Sequence, residues 1–250
     1  MSIQLLDKTR KINGLLRRAR SSKVLFNDVC ACLSEVLASN TVVISRKGKI
    51  LGHSALSSDV DLLQARVGEF LEPDLNDRLL SVLSTKENVN LETLGIETTL
   101  SDPAAILAPV EMGGERLGTI FACREAGKYE IDDIILFEYG ATVVGLQMMQ
   151  SVNEENEEAL RKQRDVRSAI STLSYSEAAA VNCIFRELKG TEGIIVASKV
   201  ADRVGITRSV IVNALKKFES AGVIESRSSG MKGTYIKVLN ELVFEELEIS

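Results

Sequence analysis

The segment Ala197 to Lys216, ASKVADRVGITRSVIVNALK, constrains this chain more than any other of its length. Two short helices can cross closely only where the first is thin and the link between them turns sharply. Ala201 supplies the small side chain, and Gly205, four residues on, supplies the turn. Val200, Val204, Ile206 and Ile211 recur at spacings that give the pair one buried face. This is the pattern of a helix-turn-helix. The residues after it extend the pattern: Val223 to Ser228 (VIESRS) and Thr234 to Leu239 (TYIKVL) alternate apolar and polar residues on either side of the glycine-bounded SGMKG, a hairpin where a wing belongs.

Charge points the same way. From Val196 to Val238 there are eight basic and three acidic residues, a net +5 inside a chain whose total is −5. A local excess of this kind suits a surface that tracks phosphates. Thr207, Arg208, Ser209, Val210 and Asn213 begin the second helix, the part that meets base edges in such motifs. Arg208 and Asn213 are the candidates for direct readout, and Lys216 and Lys217 the candidates for phosphate contacts. Ala197, Ser198 and Lys199, at the start of the motif, are counted with the DNA-contacting residues. In the wing, Arg227, Ser228, Ser229 and Lys232 are expected to meet the backbone or an adjacent minor groove. The alternative is a ligand-sensing module that uses the same winged helix to bind another protein.

These residues, together with LSYSE (Leu173 to Glu177), EYGATVVG (Glu138 to Gly145), GGERLGT (Gly113 to Thr119) and KTRKIN (Lys8 to Asn13), resemble the CodY family of bacterial global transcription repressors over nearly the whole chain. The resemblance implies a GAF domain with a small-molecule pocket on one face of its sheet, a homodimer, and operator affinity raised by GTP and branched-chain amino acids. In the family pattern an arginine on the helix after the first hairpin pairs the ligand carboxylate, and a phenylalanine–proline loop encloses its side chain. Here Leu63 stands at the arginine position, Arg66 lies one turn later, and LGIETTLSDP (Leu94 to Pro103) replaces the loop. The implied effector residues are Leu63, Arg66, Val67 and Pro73; isoleucine, another apolar metabolite, or GTP alone remain open. For GTP, SRKGK offers Ser45, Arg46, Lys47 and Lys49 around Gly48, which would set cations and backbone N–H groups on one exposed turn.

At 250 residues, two domains are expected: a sensing domain over 1–150, a helical linker over 151–168 and a winged helix over 169–250. Leu5, Ile12 and Leu16 share a helical face, with Leu6 and Leu15 beside it. The basic N-terminal stretch is therefore expected to pack as an amphipathic helix rather than act as a transit peptide or a membrane anchor. A helix at Asn27–Ala38 precedes strands at Thr41–Ser45 and Lys49–Ser54, with RKG as their hairpin. Helices are expected at Val60–Phe70 and Asp74–Leu83, then strands at Ile106–Val110 and Arg116–Arg124 joined by MGGE, and a long helix from Ile131. The whole reads as an α+β sensor with an antiparallel sheet flanked by helices. The stretch NEENEEALRKQRDVRS, with pairs Glu157–Arg161 and Glu158–Lys162, reads as an exposed linker helix.

Catalysis has little to build on. His53 is the single histidine. No serine sits in a GxSxG elbow, and Asp132–Asp133 stand at a helix start, where they favour its dipole. GGERLGT lacks the lysine of a phosphate loop and runs into a strand instead of a helix. Cys30, Cys32, Cys123 and Cys183 form no CxxC pair, so free thiols in a cytoplasmic protein are expected, with no metal, no cofactor beyond the effectors, and no membrane partner.

Overall fold

The computed structural model describes residues 3–18, 26–56, 66–98, 100, 102–188 and 190–247. The chain splits into two compact units, Met1–Val152 and Asn153–Ser250.

The first unit holds helices α1 (Ile3–Arg18), α2 (Phe26–Leu37) and α3 (Pro73–Leu80) and the start of α4, which runs as one helix from Ile131 to Ser171. Its strands β1 (Asn40–Ser45), β2 (Ile50–Ser54), β3 (Lys86–Val89), β4 (Ala104–Met112) and β5 (Glu115–Arg124) form an antiparallel sheet in the order β2-β1-β5-β4-β3. Strand alternation separates two apolar layers. Val43, Ile106, Ala108, Ile120 and Ala122 pack with Ile12, Val29, Leu33, Phe137 and Val144 from α1, α2 and α4. On the other face Val42, Ile44, Leu107 and Phe121 pack with Leu79 of α3 and with Leu91, Leu94 and Ile96 beyond β3. Leu5 and Ile12 of α1 are buried as their spacing requires, while Leu6 is about half exposed.

The expected helix at Val60–Phe70 is not present in its described part. Residues 66–71 run alongside β2: Ile50 N–H donates to the Glu69 carbonyl at 2.8 Å, Gly68 N–H to the Ile50 carbonyl at 2.9 Å, and Leu71 N–H to the Gly48 carbonyl at 2.9 Å. Those bonds satisfy backbone groups that the sheet edge would otherwise leave open, which outweighs local helical periodicity. The remainder of that segment, Leu63 included, lies outside the described residues. Helix α3 stops at Leu80 rather than Leu83, and the Arg116 guanidinium donates to the Val82 carbonyl at 2.9 Å and reaches the Leu79 carbonyl at 3.5 Å. Burial draws that guanidinium's pKa below its ordinary value.

The second unit contains the end of α4, then α5 (Tyr175–Leu188), β6 (Glu192–Ile195), α6 (Ala197–Val204), α7 (Arg208–Ser220), β7 (Ile224–Ser228), β8 (Thr234–Val238) and α8 (Leu242–Glu246). Its core gathers Val181, Ile184, Phe185, Val200, Ile211, Leu215, Phe218 and Ile236. Phe185 lies 5.8 Å from Phe218 and meets Phe244 edge-on at 5.7 Å. The expected linker is exposed only as far as Asp165: Val166 and Ala169 are buried in this core with Ile170 against it, an i, i+3, i+4 stripe that commits the helix to the second unit. The Glu158–Lys162 pair closes at 2.8 Å, whereas Glu157–Arg161 does not form. No helix among the described residues is long and apolar enough to cross a membrane.

Candidate nucleic-acid interface and effector region

The turn between α6 and α7 is built on Gly205, whose φ of 75° is a left-handed conformation that a side chain would strain. The N–H groups of Gly205 and Ile206 both donate to the Ala201 carbonyl, at 2.9 and 3.0 Å. Thr207 stands at the N-cap position of α7 without a side-chain capping bond, its hydroxyl 2.8 Å from that of Ser209. One face of α7, Ile211, Ala214, Leu215 and Phe218, is buried. Ser209, Asn213 and Lys216, at i, i+4 and i+7, are exposed on another face with Arg208 beside them. Among the described residues, the side chains of Lys199, Arg208, Asn213, Lys216 and Lys232 make no hydrogen bond or ion pair, so they are available to a ligand.

Two expected contacts change character. Ala197 is 8% exposed and packs in the core, so its side chain cannot reach DNA; what it offers is its backbone at the start of α6. Val210 is half-buried. Ser198 and Lys199 stay exposed.

In the wing, β7 and β8 pair from Ile224–Val238 to Ser228–Thr234. Ser229 N–H donates to the Gly233 carbonyl at 2.8 Å to close the turn that presents Ser228 and Lys232. Strand β6, which carries no alternation of its own, adds a third strand beside β8, and the Tyr235 hydroxyl donates to Glu192 at 2.6 Å. Arg227 pairs with Glu225, and Arg203 lies 3.4 Å from Glu187.

Lys217 is also engaged. Its ammonium donates to Glu177 Oε2 at 2.7 Å and to the Thr172 carbonyl at 2.8 Å. Glu177 accepts as well from the Ser174 N–H at 2.8 Å, while its own N–H lies 3.4 Å from Ser174 Oγ, the reciprocal arrangement of a capping box at the start of α5. The Lys217 ammonium, with the Ser174 N–H behind it, holds the Glu177 carboxyl at about 2, below its ordinary 4.5. A depressed carboxylate contributes stability that is complete above the unfolded value and is lost as pH falls through the folded one. Glu177→Gln is therefore expected to lower stability by about 1 kcal/mol at neutral pH, discounted for the half-exposed partner. The difference from wild type should vanish between pH 4.5 and 2 in paired thermal melts. A difference that persists at pH 2 would assign it to something other than the ion pair.

Of the expected effector residues, Leu63 lies outside the described residues, and the described ones are not gathered into an enclosure. Arg66, Val67 and Pro73 are all exposed, Pro73 opening α3. The apolar layer beneath is filled by Leu79, Leu91 and Phe121, with Leu94 and Ile96 of the LGIETTLSDP segment buried in it. Two recesses lie near the ends of the sheet, one of about 330 Å³ lined by Asn40, Leu56, Cys123 and Arg124, the other of about 360 Å³ lined by Asn88, Thr98, Leu100, Asp102 and Lys128. At the first, Arg124 pairs with Asp133 at 2.9 Å and lies 3.9 Å over the Tyr129 ring. Burial pushes that phenol up to about 12.

The basic turn departs from the expected cradle. Its cations Arg46, Lys47 and Lys49 are exposed, but three of its N–H groups are taken: Arg46 donates to the Leu117 carbonyl, Gly48 to the Ser45 carbonyl and Lys49 to Ser45 Oγ. Asn76 donates to the Arg46 carbonyl and packs on Gly48. Side-chain charge is most of what the turn has left for an anion. None of the four cysteines is in a disulfide, and burial pushes the Cys30 thiol up to about 12. Among the described residues no cluster of His, Cys, Asp and Glu is placed to hold a metal ion.

Comparison with known proteins agrees with this architecture. Residues 4–172 match the model of the CodY GAF-like domain, and residues 191–250 that of the CodY helix-turn-helix domain. A global transcriptional regulator CodY from Caldanaerobacter subterraneus is 51% identical over 98% of this chain and 97% of its own length. One from Clostridium kluyveri is 48% identical over 98% of both chains. Among solved structures, the cofactor-binding GAF domain of the nutrient sensor CodY from Clostridium difficile is 33% identical, with a TM-score of 0.44, and spans 59% of this chain and 99% of that one. The two full-length relatives carry the description of a transcriptional regulator, not of an enzyme.

Proposed function

Because this chain belongs to the CodY family of global transcriptional regulators, we propose that it represses transcription from the cytoplasm as a homodimer, with operator affinity raised by GTP, by isoleucine or another branched-chain amino acid, or by both. The working division is a sensing domain over 1–150, a linker over 151–168 and a winged helix over 169–250. The observation that carries the DNA half is the outward face of α7, where Arg208, Asn213 and Lys216 stand exposed and unpaired beside a wing that presents Lys232. Arg208 and Asn213 read base edges there; Lys216, Lys199 and the wing hold phosphates. Binding of duplex DNA across a salt series tests this: log affinity should fall steeply with log salt, and a duplex enriched from a random pool should bind far better than the pool. A protein that ignores duplex DNA would instead use the winged helix to bind another protein.

For the sensing half, the exposed charge of Arg46, Lys47 and Lys49 supports a triphosphate at the basic turn, and Arg66 supports the carboxylate of an amino acid, with Leu63, Val67 and Pro73 around it. A ligand that binds the folded state alone raises the melting midpoint, by about 5 °C or more at a hundredfold excess over its dissociation constant in a protein of this size. Isoleucine, valine, leucine and GTP are the ligands to titrate. Arg46→Ala with Lys47→Ala should remove the GTP shift and leave an amino-acid shift intact. If none of the four moves the midpoint, the sensing half fails while the DNA half stands.

A further inference from the structure

We propose that Lys217 is a positioning residue of the recognition helix: its ammonium ties α7 to the end of α4 and the start of α5 and sets the angle at which Arg208 and Asn213 are presented to DNA. This rests on α7 being the DNA-reading helix. The lysine sits in the last turn of α7, and its two acceptors come from two other places, the Thr172 carbonyl just past α4 and Glu177 in the first turn of α5. Apolar contacts such as Phe185 with Phe218 hold α5 and α7 together, but they are non-directional and tolerate small slides. A charged hydrogen bond to a fixed carbonyl does not.

The surroundings of Lys217 give this link work to do. A groove of about 510 Å³, lined by Ser168, Ala169, Thr172, Lys216, Ser220 and Ala221, separates the end of α4 from the end of α7, and Lys217 lies in its wall. Where side chains do not fill the space between two helices, a polar link across it fixes their spacing. Glu177 is itself held by the capping box, so the acceptor is rigid before the lysine arrives. A lysine neutralised by a carboxylate 2.7 Å away also has little net charge to release counterions from DNA, which separates it from its neighbour Lys216.

The test measures affinity of full-length wild type, Lys217→Met, Glu177→Gln and Lys216→Met for a selected operator and for random duplex, each across a salt series, with thermal melts to confirm folding. Lys217→Met should lose about tenfold for the operator, keep its affinity for random duplex and leave the salt slope unchanged. Lys216→Met should weaken both duplexes and reduce the slope by about 0.9. Glu177→Gln discriminates by sign even if the lysine variant folds poorly. Positioning predicts weaker operator binding, whereas a phosphate-holding Lys217, freed from its carboxylate, predicts tighter binding to both duplexes and a steeper slope. A slope reduced by about 0.9 in Lys217→Met, tighter binding in Glu177→Gln, or unchanged operator affinity in both overturns the proposal. Wild type that binds neither duplex overturns the DNA-reading role of α7 and the proposal with it.

Discussion

Gly118→Val is expected to leave no cooperatively folded N-terminal unit. Gly118 lies in β5 opposite Ser45, and a Cβ built on it comes within 2.1 Å of the Ile44 carbonyl oxygen and 3.0 Å of Met148 Cε. The first of these is backbone in the neighbouring strand, so relief requires β1 to move off β5 in the middle of the sheet. Overpacking of ordinary cores costs about 1–3 kcal/mol; a clash with backbone at this distance belongs to the exceptional class above about 4 kcal/mol, enough to unfold a marginally stable domain. Thermal melts followed by circular dichroism check it, with Gly14→Ala as the control. Gly14 is in α1, nothing lies within 4 Å of its would-be Cβ, and alanine there should be neutral or stabilising by up to about 1 kcal/mol. A Gly118→Val protein that melts like wild type would mean that β1 and β5 do not approach as described.

Arg208→Ala should lose sequence preference with most of its fold and its non-specific affinity intact. Arg208 is the first residue of α7, exposed and without a partner among the described residues, so its removal costs the protein no internal contact. A bidentate arginine–guanine contact contributes about 1–3 kcal/mol of discrimination, so the ratio of operator to random affinity should fall about 5- to 150-fold. Competition binding with both duplexes measures the ratio directly. Equal losses on the two duplexes would place Arg208 on phosphates and send the search for base readout to Asn213.

The helix-turn-helix is legible in the sequence because its signals are local: Ala201, Gly205 and the stripe Val200–Ile211 sit within a dozen residues, with Val200, Ala201 and Ile211 buried and Val204 and Ile206 partly buried against the same core. The same holds for the β1–β2 hairpin and for β4 and β5, whose short apolar runs end at glycine-bearing turns and are buried on both faces of the sheet. The linker reads as helix, which it is, but its pattern overstates how far it stays in solvent, because the three apolar residues from Val166 to Ile170 are a short stripe after a long polar one. Residues 66–71 mislead because their pairing to β2 depends on a sheet edge that periodicity does not contain. In the candidate site the gap concerns partners. A lysine in a basic stretch reads as a phosphate contact, and nothing next to Lys217 announces a carboxylate forty residues upstream. The Ser174-x-x-Glu177 spacing of a capping box is the one local clue that this glutamate is fixed in place. The basic turn misleads in the opposite sense, since its cations are as exposed as its sequence suggests while most of its N–H groups turn inward.

Strand β3 has no alternation to detect: its residues are Lys86, Glu87, Asn88 and Val89, three of them exposed. It is also one of the two margins of the five-stranded sheet, the other being β2, whose first residue Ile50 is bonded by residues 68 and 69. An open margin with unpaired backbone groups is a template for another chain, and short strands bearing charge are a common defence against it. The polarity that hides β3 from pattern reading is thus what lets the N-terminal unit be concentrated without its sheets adding edge to edge, and replacing Lys86 and Glu87 with valine would recruit them to aggregation.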